Sequence, residues 1–325
     1  MIQPRIALAA LLLLAGCAAE GGARADSVRT LVPEGRGRAE RTVAITFDDL
    51  PWARMGAFDD ARLAELTERL VGQIRGAGMP AVGFVNEQKL EGGAGREALL
   101  RRWVDAGLEL GNHTYSHPSF WTTPRERYQA EVLSGERVTR RLMAAKGSRP
   151  RFFRHPFLNT GPDLANKDAF ERFLAAHGYR VAPVTVDNDE FLYALAYDRA
   201  MARRDSAAMR RVGADYVRYM DTTFAFYEGL SRRVLGREPA QVLLLHANAL
   251  NADYLDELAA MMRGRGYTFV SLERAMRDPA YRLPDRYTGR SGISWLQRWA
   301  ITRGADPGVQ PPISPWVAEA SAPER

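Results

Sequence analysis

Cysteine is nearly absent from the 325-residue chain: Cys17 is the only one, which excludes a disulfide framework and any cysteine-based zinc site. Lysine is almost as scarce, at Lys89, Lys146 and Lys167 among 45 basic residues, and histidine occurs five times. No apolar run reaches the roughly 20 residues that a membrane-spanning helix needs, and no period of 20–50 residues repeats. What is present, 46% hydrophobic and 26% charged residues, rules out a disordered chain or a polytopic membrane protein. The net charge is +6. Half of that surplus comes from Leu195–Glu238 and half from Arg274–Arg325. The basic balance therefore fits contact with a surface or an anionic envelope better than catalysis. Nucleic acid is not an expected partner, because no nucleic-acid-binding motif accompanies the charge.

Arg5 precedes a short apolar run, Ile6 to Ala15, that ends in Leu14-Ala15-Gly16-Cys17. This resembles the lipobox of bacterial lipoproteins, which implies a signal peptide over 1–16, a lipid on the Cys17 sulfur and a polar tether over 17–41. An ordinary secretory signal cut at Ala23-Arg24-Ala25 is the competing interpretation. Both export the protein to the cell envelope, and the first anchors it to a membrane.

From Thr42 the chain alternates β-branched runs with helical patterns. Strands are expected at Thr42–Phe47, Ala81–Val85, Gly107–Gly111, Phe152–Phe153, Arg180–Val186, Gln241–Leu245 and Thr268–Ser271. Helices are expected between them, one with Leu63, Leu66, Leu70 and Ile74 on a single face and one running unbroken from Pro124 to Lys146. Such alternation implies a parallel sheet, and about seven units favour a closed barrel whose functional residues gather at the C-terminal strand ends.

Five segments stand at those ends. Thr46-Phe47-Asp48-Asp49 offers adjacent carboxylates; in extended chain they point to opposite sides, so one can hold a metal while the other handles a proton, although Asp-Asp is also a common turn or cap. His113 and His117, four residues apart, can converge on one ion if the segment makes a helical turn, and with an aspartate they form a three-ligand site with a position left for water. Arg154, in Phe153-Arg154-His155-Pro156-Phe157, can pair with a carboxylate; His155 is either a fourth ligand or, as favoured, a ring packed beside Pro156. Asp187-Asn188-Asp189-Glu190-Phe191 follows the fifth strand, as an acidic site loop or a solvated one. His246 closes an apolar strand and suits a general acid held by a carboxylate, or a satisfied core histidine.

The ordered set TFDD, HxxxHP, RxPF, DxxEF and LxH resembles the polysaccharide deacetylase family (NodB homology, carbohydrate esterase family 4), over about Thr42 to Met276. The resemblance implies an α/β fold, a distorted (β/α)7-type barrel over 42–277, here with a helical insertion at 195–238. It also implies one divalent cation, commonly Zn2+ with Co2+ or Ni2+ as alternatives, held by Asp49, His113 and His117. Asp48 would be the base, Arg154 its tether and His246 the acid. The Phe157 amide would help to hold the oxyanion, and Leu244 would shape the acetyl pocket. The implied substrate is an acetylated glycan: an N-acetylated amino-sugar polymer, with an O-acetylated xylan or exopolysaccharide, or a non-catalytic glycan-binding role, as alternatives. The chain departs from the family pattern at Phe157, where tyrosine is usual, and at Glu190-Phe191, where Asp-Trp is usual. Glu190 would orient His246, with Asp189 as rival, and Phe191 would keep an apolar wall. Over 278–325 an irregular, partly disordered extension is expected. Its Tyr281, Tyr287, Trp295 and Trp299 either form a sugar shelf or, as favoured, pack against the barrel.

Overall fold

The computed structural model describes residues 41–322. Cys17, the segment 1–16 and nearly all of the tether lie outside the described residues. The described elements run β1 (Arg41–Leu50), α1 (Asp60–Gly76), β2 (Val82–Val85), α2 (Ala94–Asp105), β3 (Glu109–Asn112), α3 (Arg125–Ser134), α4 (Arg137–Ala144), β4 (Phe152–Phe153), α5 (Leu164–Ala176) and β5 (Arg180–Val181). They continue with α6 (Glu190–Ala202), α7 (Ser206–Leu235), β6 (Gln241–His246), α8 (Ala249–Gly264), β7 (Tyr267–Phe269), α9 (Leu272–Ala275), α10 (Trp295–Thr302) and α11 (Pro315–Ser321).

All paired strands are parallel, in the order β5-β4-β3-β2-β1-β6, with β7 against the foot of β1 at Arg41–Val43. The curved sheet closes on itself through one bridge. The strand expected over Arg180–Val186 is regular only at Arg180–Val181; the chain then bends at Thr185, and Val186 makes an isolated parallel bridge with Leu243 of β6. The result is the distorted (β/α) barrel of seven strands that the strand-helix alternation implies.

Period-2 alternation decides what faces where. Ala44 of β1 packs inward with Val82, Phe84, Phe152, Ala182 and Val242, whereas Val43, Ile45 and Phe47 pack outward in the cluster that holds Leu63, Leu66, Leu70 and Ile74 of α1. Thr46 and Asp48 continue the inward row toward the C-terminal rim, beside Arg154. The barrel is thus filled with apolar side chains below and polar ones above, which puts the chemistry at one end.

Three local expectations change. The helix anticipated from Pro124 to Lys146 is two helices, α3 and α4, broken at Gly135, where a Cβ would lie 2.6–2.8 Å from the Thr114 and Tyr115 backbone. The helical insertion expected at 195–238 begins earlier, at Glu190, and forms two helices, α6 and α7, that end at Leu235. The tail, expected to be partly disordered, folds over 305–322: Pro315 starts α11, Val317 is fully buried, and Arg199 Nη1 donates to the Ala320 and Ala322 carbonyls at 2.6 Å.

Trp295 and Trp299 are buried, so they pack against the barrel rather than forming a shelf. The Trp295 amide donates to Val184 O (2.7 Å) and Ser294 Oγ to Thr185 O (2.8 Å), so α10 covers the stretch where the sheet is thinnest.

Candidate active site

A cavity of about 730 Å³ opens at the C-terminal strand ends, lined by Asp48, Asp49, His113, His117, Phe157, Leu244 and His246 among others. A β-bulge builds its acidic wall. Phe47 pairs with Gly83, but Leu50, not Asp49, pairs with Val85, so β1 carries one extra residue. Asp49 takes φ 69°, in the left-handed region. In an unbroken strand the two carboxylates would face opposite sides; the bulge turns both into the cavity.

Asp48 is buried and receives Arg154 Nη1 at 3.1 Å on each carboxylate oxygen. Arg154 is held in turn: Nε donates to Ala182 O (3.0 Å), Nη2 to Thr46 Oγ1 (3.0 Å), and the guanidinium lies 4.7 Å from the Phe84 ring centre. Burial pushes the Asp48 carboxyl above its ordinary range, with Arg154 pulling against it. Asp49 goes the other way: burial opposes ionisation, but Lys89, His117, His246 and His113 together hold its carboxyl well below that range.

Asp49, His113 and His117 offer three ligand atoms within 4.8 Å of one another. The two histidines do not converge through a helical turn, as the spacing suggested. His113 follows β3 directly, while Thr114 at φ 67° and His117 at φ 61° swing the second imidazole back over the first, ring centres 4.9 Å apart. His113 Nε2 and His117 Nε2 lie 3.9 and 3.6 Å from Asp49 Oδ1. His113 Nδ1 is bonded to Arg154 O at 2.8 Å, which leaves Nε2 free to bind. Burial lowers the pKa of both imidazoles, keeping them neutral and able to ligate.

His246 Nδ1 lies 2.8 Å from Glu190 Oε2. The other Glu190 oxygen accepts from Asn248 Nδ2 and from Asn251 Nδ2 (2.6 Å). Burial lowers the His246 pKa, and the carboxylates of Glu190, Asp49 and Asp48 together raise it by more, so the imidazole is pushed up to about 9. Asp189, the rival orienting group, bonds instead to Gln310 Nε2 (3.1 Å) and lies at the start of α6. His155 is no ligand: it is buried among Phe120, Tyr128, Phe153 and Phe170, with Tyr128 Oη 3.3 Å from Nδ1. Phe157 and Phe191 stand exposed at the cavity mouth, and Leu244 lines its wall.

Sequence reasoning missed Lys89, Asn248 and Asn251. Lys89 Nζ lies 3.3 Å from Asp49 Oδ1 and donates to Asp49 O at 3.0 Å. Its scarcity was the only signal. Asn248 and Asn251 have a clearer one, since Asn248 caps α8 by accepting from the Asn251 amide, a spacing visible in the sequence. Backbone strain also collects here. Among the described residues six non-glycines have positive φ, and Asp49, Thr114, His117, Phe157 and Leu158 are five of them. Such residues cost on the order of 1–3 kcal/mol each and persist where the surroundings over-determine them.

The sequence pattern of the polysaccharide deacetylase family matches residues 35–182. A peptidoglycan-N-acetylglucosamine deacetylase of Bacillus cereus is 27% identical over 224 residues, 66% of this chain and 65% of its own length. Over residues 35–182 the chain is similar to the polysaccharide deacetylase family. It spans about two thirds of the Bacillus cereus relative it matches. Two solved structures are similar at lower levels. A family 4 carbohydrate esterase from Streptomyces lividans shares 23% identity, with TM-score 0.44 and coverage of 72% of this chain and 95% of that one. Peptidoglycan deacetylase PdaC from Bacillus subtilis shares 18%, with TM-score 0.45 and coverage of 74% and 93%. Within the family match lie Asp48, Asp49, His113, His117, Arg154 and Phe157; Glu190, Phe191, Leu244 and His246 come from the remainder of the chain.

Proposed function

We propose that this polysaccharide deacetylase homologue is a metal-dependent hydrolase that removes N-acetyl groups from an amino-sugar glycan of the bacterial cell envelope, of the peptidoglycan, chitooligosaccharide or poly-N-acetylglucosamine kind. The observation that carries the proposal is the Asp49–His113–His117 triad beside two separately tuned proton-transfer groups. The triad fits a divalent cation by its own chemistry. Asp49 Oδ1 is buried, accepts no hydrogen bond, has Lys89 Nζ 3.3 Å away as an ion-pair partner, and faces two neutral imidazoles. One oxygen and two nitrogen donors suit zinc with a coordination position left over, as in catalytic sites.

A cation held there supplies Lewis-acid polarisation of the acetyl oxygen and a water acidified toward pKa 7. The chain's residues do the rest. Asp48, adjacent to Asp49 and anchored by Arg154, accepts the proton of the attacking water; a raised carboxyl pKa makes it a better base than a free aspartate once ionised. The Phe157 amide is the donor proposed for the oxyanion. His246, protonated below about pH 9 through Glu190, donates to the leaving nitrogen. That donation is what an amide needs, because an unprotonated amine anion is a very poor leaving group. Leu244 and Phe191 supply the apolar walls around the acetyl methyl and the sugar.

The N-terminal Leu14-Ala15-Gly16-Cys17 segment supports export and lipid anchoring through Cys17. Among the described residues no helix is long and apolar enough to cross a membrane. Acetate release from N-acetylated chitooligosaccharides and peptidoglycan, set against acetylated xylan, tests the substrate class. Release from xylan alone would replace the amidase with an O-acetyl esterase at the same site.

A further inference from the structure

Local hydrogen bonds close the turn that presents the Phe157 amide, from Leu158 N to His155 O and from Asn159 N to Pro156 O (3.0 Å each), but they do not account for its strained backbone. Phe157 (φ 55°) and Leu158 (φ 51°) are consecutive left-handed residues with large side chains, and Phe157 is exposed. The neighbours that hold them come from 285–298, far along the chain and beyond the five family motifs. Arg298 is fully buried. Its Nη2 donates to Leu158 O, its Nη1 to Thr160 Oγ1 (3.0 Å), and its Nε to Ile293 O (2.9 Å). The guanidinium lies between the Trp295 and Tyr287 rings, 4.1 and 5.3 Å from their centres. Asp285 pairs with Arg298 (3.3 Å) and with Lys167 (2.5 Å), and Asn159 Nδ2 donates to Arg290 O (2.7 Å). Gly292 lines the cavity and meets the turn directly: a Cβ there would enter the Phe157 carbonyl oxygen and lie 2.7 Å from Leu158 Cβ.

We infer that the segment 285–298 is a positioning strap for the active site, in which Arg298 and Gly292 fix the Phe157–Leu158 turn and with it the Phe157 amide. The catalytic consequence rests on the deacetylase proposal above; the fixing of the turn does not. A misplacement of about 1 Å at a reacting centre costs about 100-fold in rate.

The test compares wild type with Gly292→Ala and Arg298→Gln, using the full chain loaded with zinc. Acetate release from N-acetylated chitotetraose gives kcat and KM. Zinc content and melting temperature report the site and the fold, and 15N-phenylalanine labelling reports the Phe157 amide resonance with and without acetate. The expected result for Gly292→Ala is a loss of about 10- to 100-fold in kcat with KM and zinc content near wild type. The Phe157 resonance should move, and its response to acetate should be lost. Arg298→Gln, if it folds, should do the same. Gly292→Ala decides alone if it does not, because its added methyl meets the Phe157–Leu158 turn itself. Wild-type kcat and an unmoved Phe157 resonance in zinc-loaded Gly292→Ala would overturn the strap. If wild type releases no acetate, the deacetylase proposal fails, and the resonance still decides whether the strap fixes the turn.

Discussion

Asp48 and Asp49 share a peptide bond and hold opposite electrostatic positions. Asp48 is buried against one guanidinium and its carboxyl is raised; Asp49 faces a lysine and imidazoles and its carboxyl is lowered. That separation suits Asp48 to the proposed role of base and Asp49 to the proposed role of ligand. Asp48→Asn should keep its fold and zinc and lose about 100- to 10,000-fold in kcat, measured by acetate release beside metal analysis. Near-wild-type turnover in that variant would remove Asp48 as the base.

The pH profile follows from the same groups. Activity should rise as Asp48 ionises above the ordinary aspartate range and fall as His246 loses its proton near pH 9. In Glu190→Gln the alkaline limb should move down toward the unperturbed histidine pKa of about 6.5. Stability has the matching sign, because the folded pKa of His246 lies above its unfolded value. Its contribution is therefore complete below about pH 6.5 and lost as pH rises through 9. Denaturant midpoints of Glu190→Gln and wild type should accordingly draw closer above pH 9.

At the scale of elements, the strands were legible because short β-branched or apolar runs end abruptly in Asp, His or Arg. The inner and outer rows of β1 follow from alternation alone. Two features were not legible, for tertiary reasons. The bulge that turns both aspartates inward shows only in the pairing of β1 with β2. The break between α3 and α4 falls at Gly135, where the Thr114–Tyr115 backbone leaves no room for a side chain. Gly135→Ala should therefore disturb the loop between His113 and His117. A loss of about 10- to 100-fold in zinc affinity is expected, the range seen when groups supporting metal ligands are altered. A competition titration against a zinc-binding dye checks it; unchanged affinity would mean that the loop is set elsewhere.

Across the whole molecule, the two segments that carry the positive surplus, 195–238 and 274–325, pack on the barrel over their described residues, 195–238 and 274–322. From them Leu195, Asp198, Arg199, Gly292 and Ser321 line the cavity. The five motifs were readable because their chemistry is local; the contribution of the tail was not, since α11 is short and proline-started and buries only Val317 and Ser321, with Trp316 and Ala320 partly covered. Truncation after Gly304 should cost at least the burial of that valine, about 1.5–3 kcal/mol, read as a lower urea midpoint. An unchanged midpoint would mean that α11 adds nothing to the fold.

One cation on Asp49, His113 and His117 is proposed to drive removal of acetyl groups from a glycan. Acetate release from N-acetylated chitooligosaccharides, followed through chelation and then reloading with one equivalent of Zn2+, tests it most directly. The predicted result is loss of release on chelation and recovery on reloading, in wild type and not in His113→Ala. Release that survives complete removal of the metal, or full zinc-dependent release from His113→Ala, would contradict it.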